Sequence, residues 1–178
     1  MKGFKCILGI VCLLVCTMAQ AAKTAPADSL EANEYDGITI SLLTCGPGEE
    51  VYTLYGHTAI RICDTTRHAD IVVNYGMFSF RQNFFVARFI LGLTDYMIGI
   101  TSFSNFVDEY TYEGRWVYEQ VLNLRQEEKK AIIAAIDENS KPENATYRYN
   151  CFYNNCTTRA RDILTENISG KVGYAPET

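Results

Sequence analysis

Histidine is scarce in this chain: its 178 residues include only two, His57 and His68. Neither lies in a His-Glu-x-x-His motif, and no Cys-x-x-Cys pair occurs, so the sequence contains no recognisable zinc site. The Gly-x-Ser-x-Gly motif, which carries the nucleophilic serine of α/β-hydrolases, is also absent. These absences argue against metal-dependent and serine-based hydrolysis, and neither a metal nor a diffusible cofactor is expected.

Basic residues are also few. The chain has 16 lysines and arginines against 21 aspartates and glutamates, for a formal net charge of −5. No Lys/Arg-rich stretch interrupts this acidic balance, which argues against nucleic acid as a partner. Apolar residues make up 48% of the chain, which is enough for one globular domain with a hydrophobic core.

The first 21 residues are predicted to be a cleaved signal peptide rather than part of the fold. A basic start, Lys2 and Lys5, precedes an apolar run over Ile7–Val15. That run is too short to span a bilayer, and the small residues of Ala19-Gln-Ala21 are typical of a signal peptidase site. The chain is therefore expected to be exported.

Cleavage of the signal peptide would remove three of the seven cysteines. Residues 22–34 are predicted to be a flexible polar leader and residues 35–178 one folded domain, which retains Cys45, Cys63, Cys151 and Cys156. In an oxidising compartment these four can form two disulfides, and one bridge among the first three is a further alternative. However, a domain of this size needs no such staples, and the spacing fits no familiar disulfide framework. Cys156 is therefore predicted to be a free thiol.

Alternation of apolar residues predicts a largely β structure before residue 125. Strands are predicted over residues 38–44, within 51–63, over 71–75 and within 114–124. The second and third of these flank a polar turn and form a predicted hairpin, in which Asn74 would lie across from His57. His68 falls in the turn and is interpreted as a solvated loop residue. Residues 126–139 show the pattern of an amphipathic helix.

Residues 78–106 are rich in Phe, Ile, Leu and Met and contain few charges. Phe85, Phe89 and Leu93 fit one helical face, and buried helices that cover a sheet are one interpretation. The alternative is an apolar surface over residues 84–100 that borders the site and faces lipid. The sequence does not decide between the two.

The stretch around Cys156 carries the clearest chemical signal. Aromatic and polar residues precede this cysteine, and Ala160, Ile163 and Leu164 follow it at helical spacing. The thiol is thus predicted to lie at a helix N-terminus, where unpaired backbone N–H groups and the helix dipole favour the reactive thiolate. A cysteine nucleophile needs a base, and His57 on its predicted strand is the candidate.

The order of a histidine on a strand, a polar residue on the next strand and Asn-Cys at a helix start resembles the circularly permuted papain-like enzymes, which include the NlpC-related proteins. Three segments together resemble the periplasmic domain of the bacterial lipoprotein N-acyltransferase (Lnb) family. They are Tyr55-Gly-His-Thr-Ala-Ile-Arg61, Tyr118-Glu-Gln-Val-Leu-Asn-Leu124, and residues 147–162 around Asn155-Cys156-Thr-Thr-Arg. The resemblance covers residues 36–175. It implies an α+β, permuted papain-like fold with an antiparallel sheet packed against helices.

The resemblance also implies an activity and a location. A fatty acyl chain would move from a phospholipid donor to the N-terminal amine of a lipoprotein, at a membrane surface in the periplasm. Cys156 would be the nucleophile, His57 the base and Asn74 the residue that orients His57, with Tyr75 behind it at the substrate site. The oxyanion would be held by the Cys156 backbone N–H and by Asn154 or Asn155.

Family members continue into a second half with membrane segments, so a chain that stops at Thr178 is expected to be a truncated or minimal member. Two other functions use the same residues differently. A hydrolase that cleaves cell-wall peptides or lipid esters would keep the same cysteine and histidine with water as the acceptor. In a non-catalytic secreted binding domain, Cys156 would instead be part of a disulfide.

Overall fold

The structure of the chain is a computed structural model that describes residues 34–78, 84, 87–88, 91–150 and 152–170. The predicted signal peptide and nearly all of the leader lie outside the described residues. So do Cys151, and Phe85 and Phe89 of the predicted helical face.

Six strands form one sheet in the order β5-β1-β2-β3-β4-β6, and every neighbouring pair is antiparallel. The strands are β1 (Ile38–Cys45), β2 (His57–Asp64), β3 (Ala69–Met77), β4 (Asp95–Ser102), β5 (Val117–Val121) and β6 (Thr146–Arg148). Three named helices belong to the described residues: α1 (Phe103–Tyr112), α2 (Gln126–Asn139) and α3 (Cys156–Glu166). The predicted α+β class, with an antiparallel sheet and helices, is confirmed.

Helices cover both faces of the sheet. On one face, Ile60 and Val73 pack with residues of α2 and α3 such as Ile132 and Ile163. On the other, Ala59 and Val72 pack with Phe106 and Tyr110 of α1. Because neighbouring residues of a strand point to opposite faces, each central strand contributes to both clusters. Residues at the ends of these strands are therefore held by packing on both sides.

The hairpin of β2 and β3 is confirmed, with Ala59 opposite Asn74 in the register. Its turn is ordered by the Asp64 carboxylate, which accepts hydrogen bonds from the backbone N–H groups of Thr66 (2.9 Å) and Arg67 (3.0 Å). Bonds to Thr66 and Arg67 lower the pKa of Asp64. His68 is exposed in this turn, as predicted.

The helix predicted over residues 126–139 is confirmed with these bounds as α2, and Ile132 and Ile136 are buried. Glu128 in its first turn accepts a hydrogen bond from the Arg125 backbone N–H at 2.9 Å. It also accepts bonds from the backbone N–H and the hydroxyl of Ser169, at 2.9 and 2.6 Å. One carboxylate thus caps α2 and fixes the segment that follows α3.

The interpretation of residues 78–106 as buried helices is wrong over Asp95–Ser102, which form β4 between β3 and β6. Helix α1 begins directly after this strand, at Phe103. Tyr96, Ile98 and Ile100 alternate along β4, but Met97 falls between them, and both faces of the strand are only partly buried. The alternative of an apolar surface gains support, because Phe84 (86%) and Leu91 (68%) are largely exposed.

Candidate active site

Cys156 is the first residue of α3, as predicted. The N-cap residue Asn155 fixes this start: its side-chain oxygen accepts a hydrogen bond from the Thr158 backbone N–H at 2.9 Å, and the Thr158 hydroxyl accepts one from the Asn155 backbone N–H at 2.9 Å. The first backbone N–H groups of a helix have no partner within the helix. The Cys156 thiol therefore lies beside the first backbone N–H groups of α3 and the positive end of the helix dipole.

His57 is the first residue of β2 and lies opposite Cys45 of β1. The chain enters the strand through Gly56, which has a φ of +72°. A side chain at Gly56 would place its Cβ only 2.5 Å from the carbonyl oxygen of Cys45. Glycine is thus required at the point where the backbone brings His57 against β1.

His57 and Asn74 meet as predicted. The ring Nε2 of His57 is 3.0 Å from Oδ1 of Asn74, which is buried. The two are diagonal neighbours rather than direct partners, because Asn74 pairs with Ala59, two residues further along β2. Since an amide oxygen only accepts hydrogen bonds, Nε2 carries the proton and Nδ1 is left for the thiol.

The His57 imidazole lies close enough to the Cys156 thiol to lower the pKa of that thiol. Gly76, in the bulge where the β3–β4 register shifts, lies between the two residues. A Cβ added at Gly76 would lie 3.6 Å from Cε1 of His57 and 3.8 Å from Cβ of Cys156. Its φ of +136° is one that residues other than glycine rarely adopt. Bulges are frequent next to active sites, where they redirect neighbouring side chains.

Cys156 has an acidic thiol. Burial alone would raise the pKa of Cys156, but the hydrogen bond and charge of His57, the Thr58 backbone N–H and the Thr157 hydroxyl together lower this pKa to about 7. Burial raises the pKa of Cys45 to about 11. The surroundings of the two cysteines thus differ, and the Cys156 thiol is the more readily ionised of the two.

Cys45, Cys63 and Cys156 all carry free thiols. Cys63 lies opposite Thr39, six residues along β1 from Cys45, which is about 20 Å at the rise of a strand. That separation is far beyond the reach of a disulfide. The alternative bridge between Cys45 and Cys63 is therefore wrong, and the prediction of a free thiol at Cys156 is confirmed.

Asn154 and Tyr75, which were predicted to bind the oxyanion or the substrate, instead make hydrogen bonds within the domain. The amide of Asn154 donates to the Arg148 carbonyl at 2.8 Å and accepts from Nε of Arg159 at 2.8 Å, so it orders the loop before α3. Tyr75 is buried, and its hydroxyl accepts a hydrogen bond from Asn139 at 3.2 Å. It points into the core on the α2 side, and burial raises its pKa.

Sequence reasoning missed a pair of threonines beside the thiol. The hydroxyls of Thr58 and Thr157 are 3.0 Å apart, and the Thr157 hydroxyl is 3.9 Å from Sγ of Cys156. The two residues directly follow His57 and Cys156. Their positions next to the two candidate catalytic residues in the sequence were the available signal, but their pairing depends on how α3 docks on β2.

Exposed apolar side chains surround this end of the sheet. His57 begins β2, β3 ends at Met77, β4 begins at Asp95 and β6 ends at Arg148. The loops that join these strands, and the loop before α3, therefore lie at the same end of the sheet. These loops carry the apolar rim, defined here as Val51, Tyr55, Phe84, Leu91, Phe152 and Tyr153, all more than 60% exposed.

Within the described ranges, no group of three or more His, Cys, Asp or Glu side chains could hold a metal ion. None of the helices described there is long and apolar enough to cross a membrane.

The sequence model of the Lnb N-terminal periplasmic domain matches residues 25–177. No curated protein and no solved structure gives a significant match. The match covers well over half of the chain, agrees with the resemblance found in the sequence, and supports a periplasmic location in a lipoprotein-related context. The chain therefore belongs to the Lnb family and corresponds to its N-terminal periplasmic domain.

Proposed function

We propose that this domain is a cysteine-dependent acyltransferase, which moves a fatty acyl chain from a phospholipid to the N-terminal amine of a lipoprotein through a thioester on Cys156. The observation that carries the proposal is the linked set of Cys156, His57 and Asn74. In it, a thiol whose pKa is lowered to about 7 lies across Gly76 from a histidine that is oriented by a buried amide. This set has the donor–acceptor order of a nucleophile, a base and an orienting residue.

The element order supports a permuted papain-like interpretation of the fold. The base comes first on β2, its orienting residue follows on β3, and the nucleophile opens α3 near the end of the described chain. The nucleophile and its base thus lie about a hundred residues apart in sequence, with the histidine first, as in the permuted enzymes that the sequence resembles.

In the first half-reaction, the Cys156 thiolate attacks the ester carbonyl carbon of the donor. A carbon–sulfur bond forms, the ester carbon–oxygen bond breaks, and protonated His57 gives its proton to the departing lysophospholipid oxygen. In the second half-reaction, the lipoprotein amine attacks the thioester, His57 takes a proton from the nitrogen, and the thiolate leaves. Asn74 keeps the proton on Nε2 throughout, so that Nδ1 exchanges the reacting proton.

Each tetrahedral intermediate carries an oxyanion next to Sγ. The backbone N–H of Cys156 at the helix start is one donor for it. We assign the second donor to the Thr157 hydroxyl rather than to Asn154, whose amide is used within its loop. The Thr58 hydroxyl can donate to Thr157, which leaves the Thr157 proton for the oxyanion.

The membrane surface is the proposed partner for the apolar rim. Aromatic and aliphatic side chains at the water–lipid boundary give reversible attachment to a bilayer. The rim residues lie on loops at the end of the sheet where His57 begins β2. Attachment through these residues would therefore bring Cys156 near the ester bonds of its donor.

The test is mass spectrometry of lipoproteins from a bacterial strain that lacks its own N-acyltransferase and expresses this chain. The expected result is an N-acylated lipoprotein N-terminus with the wild-type chain and none with Cys156→Ala. Release of free fatty acid without lipoprotein acylation would instead identify a hydrolase with the same nucleophile, and the acyltransferase proposal would be abandoned.

A further inference from the structure

Arg159 differs from every other arginine in the described residues because it has no carboxylate partner. The others each form a salt bridge to an aspartate or a glutamate; they are Arg61, Arg67, Arg88, Arg115, Arg125, Arg148 and Arg161. Arg159 instead donates from Nε to Asn154 at 2.8 Å, and its guanidinium lies 3.8 Å from the centre of the Tyr147 ring.

This placement is unfavourable for an arginine with only a structural role. The side chain is half-buried, and a partly desolvated charge without a counter-ion costs free energy. Arg159 also lies in the first turn or so of α3, where the helix dipole disfavours a positive charge. Stacking on Tyr147 offsets part of this cost, but the ring cannot neutralise the charge. The arrangement calls for an anion.

The free part of the guanidinium points to the same conclusion. Asn154 occupies Nε, whereas the two terminal nitrogens have no hydrogen-bond partner among the described residues and remain open to solvent. Terminal nitrogens held in a fixed plane can bind two oxygens of one anion at once. The hydroxyl of Tyr147, buried beneath them, also has no partner within the part of the chain that the structure describes.

Arg159 follows Cys156 by three residues on the same helix, so the two side chains are neighbours on its surface. Thr157 lies on the flank towards β2 and Arg159 on the flank towards β6, with Cys156 between them. An anionic group on Arg159 would therefore lie about one helical turn from the carbonyl attacked by the thiol. In a phospholipid, part of the glycerol backbone separates an ester carbonyl from the phosphate.

We propose that Arg159, together with the start of α3, binds the phosphodiester of the donor phospholipid. This inference rests on the proposed acyl transfer, because it assigns the headgroup end of the same substrate. A helix N-terminus favours phosphate through its dipole and free N–H groups. The proposed acceptor instead presents an amine, which the arginine would repel, so the site selects the donor.

The test uses protection of Cys156 from iodoacetamide by a short-chain ether phospholipid, which has the phosphodiester but no ester to cleave. Wild type, Arg159→Gln and Arg161→Gln are compared; Arg161 lies on the same helix and pairs with Asp162, so it is the matched control. Arg159→Gln is expected to need about 10- to 100-fold more lipid for half-protection, the equivalent of one charged hydrogen-bonded contact. Arg161→Gln should match the wild type.

Two further arms separate the explanations. Acylation of Cys156 by p-nitrophenyl palmitate, which has no phosphate, should proceed at the same rate in Arg159→Gln as in the wild type. An equal loss with this ester would mean that Arg159 only supports the active-site structure. Unchanged lipid protection in Arg159→Gln, or protection by inorganic phosphate as strong as by the lipid, would overturn the assignment. Failure of the acyltransferase proposal would show separately, as a wild-type chain that is protected by lipid but transfers no acyl group.

Discussion

At the residue scale, the neighbours of each thiol and each imidazole determine its pKa or its orientation. Burial raises the pKa of both Cys45 and Cys156, but at Cys156 the surrounding hydrogen bonds and the charge of His57 together outweigh it, so the two pKa values are shifted in opposite directions. His57 is aligned by a buried amide, whereas His68 is exposed in a turn. Substitutions at these positions should therefore separate chemistry from stability.

We expect Cys156→Ala to abolish lipoprotein N-acylation, because no other group in the site can carry the thioester. His57→Ala should lose nearly as much activity, and the double variant should be no worse than either single one, since the two residues act as a unit. Asn74→Ala should be milder, at about 10- to 100-fold. The measurement is the mass-spectrometric yield of N-acylated lipoprotein. Full yield from Cys156→Ala with native circular dichroism would contradict the mechanism.

We expect Cys156 to react with iodoacetamide at a rate that rises with pH and is half-maximal near pH 7. The thiolate is the reactive form, so a lowered pKa moves the reaction to lower pH. Cys45 should stay slow until far more alkaline conditions, because burial raises its pKa. His57→Ala should move the Cys156 midpoint upwards. Peptide mass spectrometry across a pH series measures each cysteine separately, and equal slow labelling of all of them would argue against an activated thiol.

At the element scale, helix ends determine both the site and the packing of the chain. Asn155 sets where α3 begins and hence where Cys156 lies, and Glu128 joins the start of α2 to the segment after α3. Both depend on polar side chains that satisfy backbone N–H groups at a helix terminus. The second contact is sensitive to pH because its acceptor is a carboxylate.

We expect Glu128→Gln to lower the melting temperature at pH 7 and to have little effect near pH 2. Hydrogen bonds from Ser169 and Arg125 lower the pKa of Glu128 to about 2 in the folded chain. A depressed carboxyl pKa contributes stability above the unfolded-state pKa, and this contribution is lost as the pH falls through the folded-state value. Glu127→Gln, an exposed neighbour on the same turn, is the control. A constant difference in melting temperature across the pH range would contradict the assignment.

How far these elements can be predicted depends on whether the pattern is local. Helix α2 and the β2–β3 hairpin were predictable because apolar residues such as Ile132 and Ile60 recur at a fixed period. Strand β4 was not, because its alternation extends over only three apolar residues and Met97 interrupts it. The roles of Asn154 and Arg159 also could not be predicted, since they depend on contacts between the loop before α3 and β6.

At the scale of the whole molecule, the candidate catalytic residues and the apolar rim lie at the same end of the sheet. Antiparallel pairing places the start of one strand beside the end of its neighbour, so both lie at the same end of the sheet. The opposite ends of those strands carry the Asp64 turn and the start of α1 instead. The domain is therefore asymmetric, with chemistry and exposed apolar surface at one end.

We expect Val51→Asp to weaken binding to phospholipid vesicles by about tenfold, because a charged side chain opposes burial of the rim in the bilayer. Val121→Asp is the matched control. Val51 is 65% exposed and Val121 64%, but Val121 is the last residue of β5 and lies away from the end of the sheet that carries the rim. Vesicle flotation measures the bound fraction. Equal binding of the two variants would show that the rim does not contact lipid.

The distance in sequence between base and nucleophile also has a consequence for the order of assembly. His57 and Asn74 are 17 residues apart and meet within one hairpin, whereas Cys156 joins them only when α3 docks on β2 and β3. Local contacts form earlier than distant ones during folding. We therefore expect the imidazole to be aligned before α3 docks, while the Cys156 thiol still has the ordinary pKa of an unfolded cysteine. The pKa of Cys156 is then lowered only after α3 has docked, because the groups that lower it lie on β2 and at the start of α3.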